Sequence, residues 1–276
     1  MNPHQRHPTS LVALVRSLRA NANLVRQLTR REVAGRYQGS LLGVAWSLVA
    51  PLTMLGIYTF VFSVIFRARW GGLEEETTAG YALVLFAGLI VHGFFAECVN
   101  RAPSVILGNA NLVKKVVFPL EILPWTNMGA ALFHAAASVV VLIAATLVVR
   151  WSVPWTIVWL PVIAVPLVLI TAGVASALAA LGVYVRDISQ MTGMAVNVLL
   201  FLSPVFYPAT ALSERLRWWF YLNPLTPIIE DVRNAALFGH SPDWTRWLLV
   251  TIAGVVVAQA GFWFFQRTRK GFADVI

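Results

Sequence analysis

Three side chains that could carry or accept a proton sit inside long apolar runs: His92, Glu97 and His134. Ionisable groups are expensive in hydrocarbon, so each is a functional suspect by default. A proton relay would need acidic residues lining the runs, and they do not. His134 also has a plain structural reading, a neutral ring bonded to a neighbouring helix. Glu97 lies within a turn of the end of its run, where it can reach water. Other chemistries have no motif to rest on. The chain has no GxxxxGK[ST], and no Gly is followed by Lys, so it carries no phosphate-binding loop of that kind. It has no HExxH and no Cys/His cluster with metal-ligand spacing. Ser-His-Asp or Cys-His catalysis would have to be assembled from scattered groups. The lone Cys98 allows no intramolecular disulfide and suits packing.

What must position these residues is a set of helices in lipid. Six apolar stretches, 41–66, 81–99, 122–149, 155–183, 191–207 and 247–265, come near or exceed the ~20 residues that cross ~30 Å of hydrocarbon. Backbone polar groups cannot stay unpaired in lipid, so these stretches are expected to be helices. The chain is 58% hydrophobic with a mean hydropathy of +0.72, which excludes an ordinary soluble domain. The expected fold class is all-α, a single polytopic membrane domain over residues 1–276.

The net charge of +9 invites a nucleic-acid partner, but its distribution argues against one. An even number of spans puts both termini on one side. That side holds 14 of the 21 Lys and Arg, leaving seven opposite: Arg67, Arg69, Arg150, Arg215, Arg217, Arg233 and Arg246. The positive-inside rule places both termini in the cytoplasm. No cleavable signal is evident, because the first apolar stretch starts late and is too long.

Before that stretch, residues 11–35 alternate with helical period. Leu11, Leu14, Val15, Leu18, Ala22 and Val25 share one face, and Arg16, Arg19, Arg26 and Arg30 gather on another. Such a helix suits a membrane interface near anionic lipid, or a surface packed on protein. Small residues in the third and fourth stretches, from Ala130 to Ser138 and from Gly173 to Gly182, allow close helix approach. Residues 208–240 read as two short amphipathic helices broken at Asn223-Pro224, with Trp218, Trp219 and Tyr221 suited to the outer interface. They look like a lid. Glu74, Glu75 and Glu76 read as a solvated acidic patch.

Several motifs, in order, resemble the membrane subunit of ABC transporters that export polysaccharides such as O-antigen, capsule and teichoic acid. They are RYQGSLLGVAWSLVAPL (Arg36–Leu52), NANLVKKVVFPLEILP (Asn109–Pro124), YVRDISQ (Tyr184–Gln190), FLSPVFYP (Phe201–Pro208), YLNPLTPIIEDVRNAALFG (Tyr221–Gly239) and the terminal GFADVI. The resemblance implies a homodimer of six-helix subunits in a bacterial inner membrane. It implies two separate cytoplasmic ATPase subunits that bind ATP and Mg, so this chain would hold no cofactor and be no enzyme itself. The implied cargo is a glycan on undecaprenyl pyrophosphate. Two alternatives remain: an ABC permease for a drug or small lipid, and an integral membrane enzyme acting on glycolipids.

On that resemblance, Leu107–Val117 is expected to be a coupling helix seated in the ATPase. Asn109 and Asn111 would bond there and Lys114 and Lys115 would meet acidic groups, although these lysines also read as positive-inside charge. Arg186 and Asp187 would form a second contact loop and can pair with each other. Glu121, just after Phe118-Pro119, can neutralise a cytoplasmic Arg or accept from the helix start. A pyrophosphate wants guanidinium forks, which points to Arg30, Arg31 and Arg36, although membrane head groups satisfy the same residues. A sliding glycan wants stacking faces, for which Trp46, Tyr58, Phe62, Phe201, Phe206 and Tyr207 are candidates.

Overall fold

The computed structural model describes residues 8–65, 78–113, 118–208, 213 and 220–276, and every regular element among them is helical. Among the described residues five helices are long and apolar enough to cross a membrane: Gly43–Phe62, Gly80–Val105, Leu120–Arg150, Trp155–Tyr184 and Trp244–Val275. A sixth apolar helix, Ile188–Phe201, has 14 residues, only ~21 Å at ~1.5 Å per residue.

The amphipathic stretch near the amino terminus forms two helices rather than one, α1 (Leu11–Ala20) and α2 (Ala22–Tyr37), meeting at Asn21. Ser10 caps α1, its Oγ accepting from Ala13 N–H. Asn21 breaks the run by donating from Nδ2 to the Ser17 carbonyl. Helix α3 (Trp46–Thr59) follows and relaxes into a π turn at Phe60–Ile65. Then come α4 (Thr78–Val105), the short α5 (Ala110–Val113), α6 (Leu123–Arg150) and α7 (Leu160–Tyr184). Helix α8 (Ile188–Phe201), α9 (Leu225–Arg233) with its π turn Asn234–Phe238, α10 (Trp244–Thr268) and α11 (Phe272–Val275) complete the chain.

Helix α4 is the axis. Tyr81 through Ala87 are all buried, and α3, α6, α7, α8 and α9 surround it. Other helices pack around most of it, while Gly93 and Asn100 are exposed. Helices α7 and α10 make the closest pair. A Cβ on Gly261 would stand 2.0 Å from the Gly173 carbonyl oxygen, and one on Gly173 would stand 2.3 Å from that of Val257. Gly182 likewise meets the Pro103 carbonyl, drawing α7 onto α4. Small residues therefore do set the packing of α7, as expected. In α6 they split: Ala130, Ala131 and Ala137 are buried, while Ala136 is exposed.

Contacts define two ends of the bundle. At the terminal face, Arg269 meets Glu121 at the head of α6, and Glu121 meets Ser17 of α1. At the far face, the start of α4 meets the end of α8. Tyr81 Oη donates to the Phe206 carbonyl at 2.6 Å. The short α8 is thus extended by the irregular stretch Leu202–Phe206, and together they run from one face to the other.

Candidate functional site

At the terminal face α2 advances alongside the first half of α6. Thr29 packs on Gly129, and Arg36 reaches His134. Between α2 and the ends of α4 and α6 lies a cleft of about 960 Å³, lined by Arg31, Arg36, Arg101, Glu32, Asn109 and Asn127 among others. Arg101 is bridged to Glu32. Arg31 is exposed and makes no ion pair among the described residues. Asn127 donates to the Cys98 carbonyl, while its buried Oδ1 has no partner among the described residues. Of the three arginines suggested for a phosphorylated head group, Arg31 and Arg36 line the cleft and Arg30 does not.

Arg36 is already engaged. Its Nη2 lies 2.6 Å from Glu97 Oε1, and His134 Nδ1 lies 3.0 and 3.2 Å from the two Glu97 oxygens. Arg36 Nη1 stands 2.9 Å from the same Nδ1. One nitrogen cannot serve both neighbours. Protonated, Nδ1 donates to Glu97 and faces an Arg36 N–H; bare, it accepts from Arg36 and faces a carboxylate. His134 Nε2 is buried and has no partner among the described residues. The cluster lies ~12 Å inside α4, counted from Val105 at ~1.5 Å per residue. Glu97 therefore spends its charge on two other helices, where the sequence suggested water. His134 takes the structural reading. His92 is also bonded to its surroundings, its Nε2 3.2 Å from the Val196 carbonyl of α8.

The expected coupling segment is described as far as Val113, and Lys114 and Lys115 lie outside the described residues. Asn109 Nδ2 donates to the Val105 carbonyl, ending α4 with a side-chain cap, and Asn111 is exposed. Arg186 and Asp187 are both exposed in the turn between α7 and α8, at the same face. No ion pair joins them among the described residues. Glu121 does meet a cation: Arg269 Nη1 lies 2.6 Å from its Oε2.

Of the six candidate glycan aromatics, three come together near the far face. Phe62 stacks on Phe206 with centroids 6.5 Å apart, and Phe206 on Phe201 at 5.6 Å. Tyr81 joins the strip, 5.3 Å from Phe62. Tyr207 meets Phe220 edge-on, while its hydroxyl donates to the Phe201 carbonyl. Tyr58 packs against the core, and Trp46 is 42% exposed near the other end of α3.

Trp218 and Trp219 lie outside the described residues; Tyr221 lies within them, its hydroxyl 3.2 Å from Glu230 Oε1. Helix α9 is built into the bundle rather than laid over it, with eight of its nine residues buried. It is held by Arg233, which counted in the sequence only as one of the outer-side arginines. Arg233 donates from Nε to the Val84 carbonyl (2.9 Å), from Nη1 to Pro204 (2.6 Å) and from Nη2 to Val205 (2.8 Å). Burial pulls its pKa down to about 9, which still leaves it charged at neutral pH. Gly88 makes the room, since a Cβ there would stand 2.7 Å from Nη2. Arg246 at the start of α10 holds the other edge, 2.6 Å from Glu230 and 2.9 Å from Asp231. Burial pushes the Asp231 carboxyl above the usual carboxylate range, and Arg246 draws it back.

A bundle of lipid-length helices with exposed loops and a basic cleft at one end suits a transport subunit. Comparison with known proteins agrees. An O-antigen export system permease protein RfbA of Klebsiella pneumoniae is 24% identical over 250 residues, covering 90% of this chain and 93% of that protein. The protein of that name in Myxococcus xanthus is 25% identical over 268 residues, covering 96% of this chain and all of its own. The family model for the ABC-2 type transporter membrane domain matches residues 23–237. With most of its length accounted for in this way, the chain belongs to the ABC-2 type transporter family of membrane proteins.

Proposed function

We propose that this chain is the membrane half of an ATP-driven exporter of lipid-linked polysaccharide, an O-antigen on undecaprenyl pyrophosphate, in a bacterial inner membrane. It works as a homodimer with two cytoplasmic ATPase subunits, which bind ATP and Mg, and its terminal face lies in the cytoplasm. The names of the relatives support the cargo, and the distribution of Lys and Arg supports the orientation. One observation carries the reading: the segment at 107–113, the turn at 185–190 and the arginine-lined cleft share one face. A partner and a phosphorylated head group would then approach from the same side.

In this account the head group lodges against Arg31 and Arg36, where guanidinium forks match phosphate oxygens. The glycan slides past the Phe62–Phe206–Phe201 strip, whose faces stack without tight bonds. ATP binding shifts the subunits because the ATPase prefers one arrangement over the other. The test is charge reversal at Lys114 and Lys115 in a strain lacking the native gene. Loss of ATPase copurification together with accumulation of undecorated glycan inside the cell is expected. Full retention of both ATPase binding and export would overturn the coupling assignment.

A further inference from the structure

Among the last eight residues Phe272 is buried and Arg269, Gly271 and Ile276 are half-buried against the terminal face. Phe272 is fully buried in a small core with Ile106, Leu120, Val183 and Phe265. Leu112, Val113, Phe118 and Ile276 pack at its rim. Gly271 sits so close under Tyr184 that a Cβ would stand 2.6 Å from the hydroxyl. That hydroxyl donates to the Thr268 carbonyl at 2.6 Å. Arg269, whose side chain is 13% exposed, donates to Glu121 Oε2 at 2.6 Å and to the Phe118 carbonyl at 3.0 Å. The other Glu121 oxygen accepts from Ser17 Oγ at 2.8 Å.

These contacts fall on both exposed segments of that face. The tail holds the exit of the first through Arg269, at the Phe118 carbonyl and Glu121, and Phe272 shares its small core with Ile106 and Leu120 at that segment's two ends. It grips the second at Val183 and Tyr184, directly before Arg186 and Asp187. A loop joined to the bundle only through its own ends would absorb a push by bending. A loop seated on a close-packed core passes the displacement on.

We propose that residues 269–276 lock the two exposed segments into one rigid platform, with Arg269 and Tyr184 as its positioning residues, so that ATPase movement reaches the helices undiminished. This rests on the proposed function. Both side chains act on the segments and neither needs to touch the partner.

The test uses the full complex with its ATPase, reconstituted in lipid, as wild type, Arg269→Ala, Arg269→Lys and Tyr184→Phe. ATPase copurification, ATP hydrolysis and glycan exported per ATP are measured. Arg269→Ala and Tyr184→Phe should bind the ATPase and hydrolyse ATP as wild type does. Their export per ATP should fall at least about fivefold, the lower range of a typical coupling energy. Arg269→Lys, which keeps the charge opposite Glu121, should recover part of the loss. If Arg269→Ala does not fold, Tyr184→Phe decides alone. Unchanged export per ATP in both lesions would overturn the proposal, as would a fall that merely tracks lost ATPase binding. A wild-type chain that binds no ATPase would instead sink the proposed function.

Discussion

Arg36 Nη2 lies 2.6 Å from Glu97 Oε1, and this ion pair, together with the Arg101–Glu32 bridge, ties α2 to the axis of the bundle. In water such a pair is worth little. Here both partners stand against apolar helices, so losing either strands a charge. Glu97→Ala is expected to cost about 2–4 kcal/mol, somewhat below the fully buried case because both side chains keep some exposure. His134→Ala should cost less, about 1 kcal/mol, since its Nδ1 satisfies only one neighbour at a time. Thermal unfolding in detergent would rank the two, and an equal loss would contradict the tautomer argument.

Packing of α7 on α10 depends on absent side chains. Gly261→Ala places a methyl 2.0 Å from the Gly173 carbonyl, so backbone must move. A loss of about 1–3 kcal/mol is expected. Gly193→Ala in α8 is the control, since a Cβ there meets nothing within 4 Å. It should be neutral or gain up to about 1 kcal/mol from the helix preference of Ala. The same melting experiment separates them.

The Arg233 clasp predicts an order among replacements. Met fills the volume but takes the donor from the Pro204 and Val205 carbonyls, each loss costing about 1–3 kcal/mol. It also removes the side-chain bond to Val84, whose carbonyl lies within α4. Lys keeps charge and some bonds but not the fork. Folded yield by size-exclusion chromatography should run wild type, then Arg233→Lys, then Arg233→Met. Near-equal yields would mean that α9 is held by its apolar face alone.

Arg31 lines the cleft and has no ion pair to lose among the described residues. Arg31→Ala should therefore leave the melting temperature unchanged. Its binding of a polyprenyl diphosphate in native mass spectrometry should weaken roughly tenfold, as the loss of ~1.4 kcal/mol implies. Arg30→Ala, outside the cleft, should bind as wild type does.

Much of this architecture was legible in the sequence, because lipid permits few solutions. Apolar runs of spanning length became spanning helices wherever they stayed regular, and small residues in α7 became its contacts. Pairings between distant residues were not legible. Nothing local in Arg36, Glu97 and His134 says that α2 runs beside α6, nor that Arg233 folds onto the carbonyls of Val84, Pro204 and Val205. Those depend on how helices assemble. The carboxy-terminal GFADVI was legible as a motif, but nothing local says that Phe272 enters a core with Ile106, Leu120 and Val183. Aromatic character marked Phe62, Phe201 and Phe206 together, and equally marked Trp46, which stands apart from them.

Under the proposed function, this chain moves its cargo only when a separate ATPase drives it. The direct measurement is export of radiolabelled lipid-linked polysaccharide across proteoliposome membranes, with and without the ATPase and with and without ATP. Export only when chain, ATPase and hydrolysable ATP are all present is the expected result. Transport or chemical change of the glycolipid by the chain alone would contradict the account.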